Sequence, residues 1–249
     1  VSAPSVLVFD AGKSFAKITL FARDGIRLRH ETRALEPQAT GLDCDGIADW
    51  FISTLADVAR HHPIDAIIPI GHGAAAALIA GDQLIAPVAD YEQTIPPDIA
   101  QAYAAGRDAF ALTGSPLLPA GLNLGAQLHA LEHRRGAALP ATAQILLWPQ
   151  YWAWWLAGVA HAEVTSLGCH SDLWCPATAS PSPMAARRGW AALLPPLAHA
   201  GSVAGPMRHD LARQIGLPRP PIVHVGLHDS NAALLAARRA AGTDVATVS

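Results

Sequence analysis

Val6-Leu7-Val8-Phe9-Asp10-Ala11-Gly12-Lys13-Ser14-Phe15-Ala16-Lys17-Ile18-Thr19-Leu20-Phe21 is two apolar runs joined by a short polar turn. Val6 to Phe9 reads as a buried strand ending at Asp10, and Lys17 to Phe21 reads as the next strand. Arg23-Asp24-Gly25 is a hairpin signal, and Ile26 to Thr32 supplies another strand. An antiparallel meander is therefore expected before any helix.

The next segments extend this order. Ile47, Trp50, Phe51, Leu55 and Val58 recur at helical spacing, and Pro63 ends the helix. Ala66-Ile67-Ile68-Pro69-Ile70 is apolar throughout, which predicts a strand buried on both faces and parallel to its neighbour. A β-β-β-α-β order does not fit a doubly wound nucleotide fold, which alternates strand and helix from the start. It fits an α/β ribonuclease-H-like layout, a mixed sheet flanked by helices, as in sugar kinases, actin and the large chaperone ATPases.

Farther on, Pro96 to Ala105 and Leu122 to Arg135 read as helices, and Gly114 to Gly121 as a loop. Ile145 to Leu147 reads as a strand running into Trp148-Pro149-Gln150-Tyr151-Trp152-Ala153-Trp154-Trp155-Leu156, a helix that Gly158 stops. This aromatic run could stack on carbohydrate, but core filling is the more common use of such residues. Thr178 to Pro183 reads as a loop and Met207 to Ile215 as a helix. Pro221 to Val225 reads as a strand; Gly226 permits a sharp turn, and Asp229 or Ser230 can cap the following alanine-rich helix. Thr243 to Ser249 reads as the start of a further strand.

Composition bounds the partners. The 249 residues are 51% hydrophobic and 15% charged with a net charge of -3, enough apolar content for a substantial core. The arginine pairs are isolated, so no nucleic-acid surface is expected. No apolar run approaches the ~20 residues of a membrane span. Three cysteines form no paired framework, and the N-terminus shows no signal-peptide pattern. A soluble, cytoplasmic protein is expected; a homodimer is an open option for its assembly.

Candidate chemistry lies at turns. Gly12-Lys13-Ser14 is not a Walker loop, because the position five before Gly12 is Leu7. An Asp-x-Gly turn between strands can nevertheless hold phosphate on its amides, with Ser14, Lys13 and Lys17 adding a hydroxyl and charge, and Asp10 holding magnesium through water; an ordinary hairpin with a solvated lysine is the alternative. Gly71-His72-Gly73 after the fourth strand lets a ligand approach the backbone, with His72 able to bond a hydroxyl, or is a plain tight turn. Asp90-Tyr91-Glu92-Gln93 is a polar cluster suited to polyhydroxyl recognition or simply surface. Cys169 and Cys175 lack zinc spacing, and no hydrolase nucleophile elbow exists. Asp229, at a strand-to-helix turn, is either a helix cap or a catalytic base.

Taken together, these segments resemble the N-terminal, sugar-binding domain of the FGGY family of carbohydrate kinases, over essentially residues 1–249. Asp10-Ala11-Gly12-Lys13-Ser14-Phe15-Ala16-Lys17 is similar to the family's first phosphate motif, with Lys13 replacing the usual threonine. Gly71-His72-Gly73 resembles the sugar-contacting segment of xylulose kinases in shortened form. Trp148 to Gly158 followed by Glu163-Val164-Thr165-Ser166 resembles the family's aromatic helix and Thr/Ser-containing strand. Gly226-Leu227-His228-Asp229-Ser230-Asn231-Ala232 is similar to the catalytic Gly-x-x-Asp-x-x-Ala motif, its His-Asp pair being most like rhamnulose and fuculose kinases.

The resemblance implies an ATP- and Mg2+-dependent kinase of a ketose or related sugar or polyol, with Asp229 as general base. It places Gly71, His72, Gly73, Asp90, Glu92 and His228 at the sugar, Gly12, Lys13, Ser14 and Lys17 at ATP, and Asp10 at magnesium. The family runs to roughly twice this length, so the ATP-binding C-terminal domain is expected to lie beyond Ser249. The alternative is a sugar-binding or regulatory module without catalysis. An actin-like or chaperone ATPase fits less well, since those lack the late Gly-x-x-Asp turn and the aromatic helix.

Overall fold

The computed structural model describes residues 5–246. The chain opens with β1 (Ser5–Ala11), β2 (Phe15–Ala22) and β3 (Arg27–Ala34), then α1 (Cys44–Ala59) and β4 (Ala66–Gly71). β1, β2 and β3 pair antiparallel in sequence, and β4 pairs parallel with β1. The β-β-β-α-β reading is thus the observed order. Next come β5 (Ala76–Ala80), β6 (Gln83–Leu84), α2 (Pro97–Gly106), α3 (Phe110–Thr113), α4 (Leu124–Arg135), β7 (Gln144–Leu147) and α5 (Trp148–Ala157). The remainder holds α6 (Val164–Leu167), β8 (Trp174–Cys175), β9 (Ser180–Pro181), α7 (Pro183–Arg187), a 3-10 turn (Trp190–Leu193), β10 (Val203–Pro206), α8 (His209–Ile215), β11 (Ile222–His224), β12 (Leu227–His228) and α9 (Asp229–Ala241).

The main sheet runs β10-β11-β4-β1-β2-β3, with β12 also pairing β4. It is the mixed sheet flanked by helices expected of a ribonuclease-H-like layout. Alternation along β1 sends Leu7, Phe9 and Ala11 into the core and leaves Val8 and Asp10 on the other face. α1 answers with Ile47, Phe51, Leu55 and Val58, all buried, and its N-terminus is capped by Asp43 accepting from the Gly46 amide at 3.0 Å. α5 adds Trp148 and Trp152, fully buried; the Phe9 and Trp152 rings meet edge-on at 5.2 Å. The tryptophan run therefore fills core. Gly158, at φ +76°, ends that helix as read. A second core gathers Leu124, Leu128, Ile145, Trp174 and Trp190 around α4 and β7.

Several expectations are corrected. β4 is parallel to its neighbours, but only Ile67, Pro69 and Gly71 are fully buried; Ile68 and Ile70 are half-buried, because the helices of the first core pack on one face. Glu163 to Ser166 is not a strand: Glu163 caps the short helix α6, accepting from the Thr165 and Ser166 amides. Ala76 to Ala80, for which no element is read above, is a strand paired with β7. Thr243 to Ala246 forms no strand, and Thr247 to Ser249 lie outside the described residues, as do Val1 to Pro4 on which the signal-peptide reading rests. Among the described residues no helix is long and apolar enough to cross a membrane.

Candidate functional site

Sheet register brings the read motifs to one edge. Ala11 of β1 is opposite Gly71 of β4, and Gly71 is opposite His228 of β12. The Asp10 turn, the Gly-His-Gly turn and the His-Asp turn therefore leave the same ends of adjacent strands. Two inter-strand spacings separate the first from the last, about 10 Å. Such strand ends are the usual place for a site on an open α/β sheet.

Gly226 makes the third turn. Its φ is +81°, and a Cβ there would stand 2.2 Å from the Pro69 carbonyl oxygen. Only glycine lets the chain jog between β11 and β12 while both stay on β4. α9 then starts at Asp229. The capping residue is His228, correcting the reading that gave this place to Asp229 or Ser230. Its Nδ1 accepts from the Ser230 amide at 3.1 Å, and Asp229 Oδ1 shares that donor at 2.5 Å. Asp229 is thus the first helical residue, half-exposed, at the positive end of a helix.

The Gly-His-Gly turn needs both glycines. A Cβ on Gly71 would meet Trp148 Cδ1 at 2.8 Å, and one on Gly73 would meet His228 Nε2 at 2.6 Å. Between them His72 is buried, its Nδ1 2.7 Å from the Gly73 carbonyl oxygen. A carbonyl only accepts, so Nδ1 carries the proton and Nε2 of the neutral ring is a bare acceptor. Nε2 is buried and has no partner among the described residues. A ligand hydroxyl would satisfy it.

At the first turn, Gly12 donates its amide to Phe15 O at 3.1 Å, and a Cβ on Gly12 would collide with that same oxygen at 2.7 Å. The Gly12 amide is therefore not free for a phosphate. Ser14 is exposed at the tip. Lys17 pairs with Asp10 Oδ2 at 3.1 Å, while Asp10 Oδ1 is buried without a partner. An unsatisfied carboxylate oxygen fits a cation held through water, the usual manner of magnesium. Among the described residues no group of acidic, histidine or cysteine side chains forms a complete metal cage.

Lys13 differs from what was expected of it. Its Nζ lies 2.6 Å from Asp90 Oδ2 and 3.2 Å from Glu92 Oε2, and sits over the Tyr91 ring at 5.4 Å. The side chain is committed to the Asp90–Glu92 loop instead of to a phosphate. Tyr91 in turn meets His72 edge-on at 5.6 Å. Residues assigned separately to ATP and to sugar thus form one cluster. Lys13, His72, Asp90, Glu92 and Trp148 line a single cavity of about 550 Å³ including its open mouth.

Burial and charge tune these groups. Burial raises the Asp10 carboxyl above its ordinary value; Lys17 pulls it back, and the Asp229 charge adds to the rise. Burial lowers both His72 and His228, against the opposing pull of Asp229, so both rings are held towards the neutral form. Burial alone would lower the Lys13 ammonium, but Asp90 and Glu92 hold it above its usual value.

Several supporting residues escaped the sequence reading. Cys169 reaches the site: its Sγ abuts Gly73, and burial followed by the Asp229 charge pushes its thiol up to about 11. Gln150, buried in α5, donates to the Val225 and Gly226 carbonyls at 3.3 and 3.2 Å. Thr165 Oγ1 accepts from the His228 amide at 3.1 Å and donates to buried Glu163 at 2.6 Å. The bonds of Gln150 to Val225 and Gly226 and of His228 to Thr165 join segments 63 to 76 residues apart, a separation that local sequence pattern does not signal.

No protein-family model matches the chain, and no curated protein matches it. Solved structures do. The chain is similar to a carbohydrate kinase from Novosphingobium aromaticivorans, 44% identical, TM-score 0.90, covering 96% of this chain and 51% of that one. It is similar in fold to a ligand-bound xylulose kinase from Lactobacillus acidophilus, 15% identical, TM-score 0.79, covering 94% and 50%. A gluconate kinase from the same organism, also 15% identical with TM-score 0.79, is covered to 49% by 92% of this chain. The chain spans about half the length of each of these structures.

Proposed function

We propose, for a chain whose structural neighbours are FGGY-type carbohydrate kinases, that residues 1–249 are the sugar-binding half of an ATP-dependent kinase. The acceptor is a hydroxyl of a ketose or related polyol, and the other half of such an enzyme supplies most of the nucleotide site. The observation that carries this reading is the placing of Asp10 and Asp229 at the same ends of β1 and β12, the strands on either side of β4, with the bare acceptor His72 Nε2 at the end of β4 between them.

In this reading Asp229 accepts the proton of the attacking hydroxyl. It stands on a rigid strand-to-helix turn that Gln150 and Thr165 hold from behind. His72 accepts a hydrogen bond from a sugar hydroxyl, His228 keeps the Asp229 turn in place, and Gly71 and Gly73 let the sugar approach the backbone. Asp10 would hold magnesium, and Ser14 and Lys17 lie on the phosphate side. Bound magnesium neutralises charge on the transferring phosphoryl group; phosphoryl transfer otherwise asks mainly for positioning and a base. Lys13 moves in this reading from the phosphate to the acceptor side, where Asp90 and Glu92 hold it.

The test is a coupled ATP assay of the protein as its gene encodes it against a panel of ketoses and polyols. Magnesium-dependent ADP release with one or a few of them is the expected result. Tight sugar binding with no turnover on any member would replace the kinase by a binding module.

A further inference from the structure

The neighbours include kinases named for xylulose, an uncharged ketose, and for gluconate, a sugar acid. The fold alone therefore leaves the charge of the acceptor open. Among the described residues, the ammonium that lines the cavity beside His72 is that of Lys13, and a bare lysine there would favour a carboxylate. It is not bare. Asp90 Oδ2 at 2.6 Å and Glu92 Oε2 at 3.2 Å both hold it, so the cluster carries one net negative charge. Asp90 is itself buried and fixed, its Oδ1 accepting from the Glu92 amide at 2.9 Å. Lys17 is likewise committed to Asp10, and the Asp229 carboxylate has the His228 ring beside it. Among the described residues that line this cavity, His72, 7% exposed, keeps Nε2 without a partner, and in its neutral ring that nitrogen accepts from a hydroxyl and repels a carboxylate oxygen.

We propose that Lys13, Asp90 and Glu92 act as a charge filter: by masking Lys13, the two carboxylates restrict the site to uncharged ketoses and polyols and exclude sugar acids and sugar phosphates. This rests on the sugar-kinase reading above and adds to it the class of acceptor and the residues that set it. Specificity of this kind comes as much from repulsion of the wrong partner as from attraction of the right one.

The experiment compares matched pairs on the protein as its gene encodes it, xylitol with xylonate and sorbitol with gluconate, by calorimetric titration at low and at high salt. The uncharged member of the better-binding pair should bind at least about ten-fold tighter, about 1.4 kcal/mol, with the gap shrinking as salt screens the carboxylates. Glu92→Gln should narrow the gap at low salt; the Glu92 side chain is 62% exposed, so the replacement leaves the packing intact. Equal or tighter binding of the acid overturns the filter while leaving a sugar kinase standing. A gap that neither salt nor Glu92→Gln alters also overturns it. Failure of every sugar, charged or not, to bind overturns both the filter and the kinase reading.

Discussion

Gly73 lies directly under the His228 ring: a Cβ there would stand 2.6 Å from His228 Nε2 and 2.9 Å from Cys169 Sγ. The two turns that border the proposed acceptor site thus touch each other, and the contact fixes their spacing. His228 is also the cap of α9, so moving its ring moves the first turn of the helix that carries Asp229. Gly73→Ala is expected to weaken sugar binding ten-fold or more, at a stability cost of about 1–3 kcal/mol for overpacking. Titration of the sugar alongside denaturant unfolding checks this; unchanged sugar affinity would show that the contact is not used.

Acid should destabilise the fold through its buried histidines. Burial holds His72 and His228 below the ordinary histidine value, so the unfolded chain binds protons more readily than the folded one near pH 6. Their neutral-form stability is fully present above about pH 6.5 and is lost as pH falls towards the folded values, with a limiting slope of about 1.4 kcal/mol per pH unit for each ring. Urea unfolding between pH 5 and 8 should show this rise with pH, and His72→Asn should flatten it.

Asp10 has the opposite sign. Its raised value means that the folded state holds the proton more tightly than the unfolded state, so this contribution is present at low pH and lost as pH rises through the folded value. By neutral pH the charge is a net cost that burial imposes and Lys17 only partly offsets. Asp10→Asn should raise the melting temperature at pH 7 while abolishing magnesium-dependent transfer, the combination expected of a functional rather than a structural carboxylate. A lowered melting temperature would contradict the burial account.

Buried Asp172 accepts from Arg107 Nε and Nη2, each at 2.7 Å, and from the Tyr103 hydroxyl. This pair anchors the loop that carries Cys169. Asp172→Ala would strand Arg107, 10% exposed, without its partner, at an expected cost of about 3–5 kcal/mol. Tyr103→Phe should cost less, since it removes a neutral donor and leaves the ion pair whole.

Much of this architecture could be read from residues alone because its signals are local. Alternation in β1 and β2, the Asp24-Gly25 turn and the spacing of Ile47 to Val58 each specify an element within a few residues. The turns at Asp10, His72 and Asp229 were legible because glycine marks them. What sequence could not give is set by side chains meeting across the fold. Lys13 was read beside phosphate, yet a carboxylate 77 residues away holds it. The sequence offers Asp229 or Ser230 as the cap, yet the imidazole of His228 takes that place. Glu163 was read in a strand, yet its own carboxylate, bonding the next two amides, turns the chain into a helix.

In the proposed kinase, Asp229 is the base that activates the sugar hydroxyl. Asp229→Asn keeps the side chain's size and its acceptor oxygen for the Ser230 amide, so the turn and the sugar contacts should survive. The decisive measurement is turnover and sugar affinity of this variant, side by side, in the protein as its gene encodes it. Loss of turnover by a factor of about 100 or more, with sugar affinity within a few-fold of the parent, is the predicted result. Turnover equal to the parent's would remove Asp229 as the base.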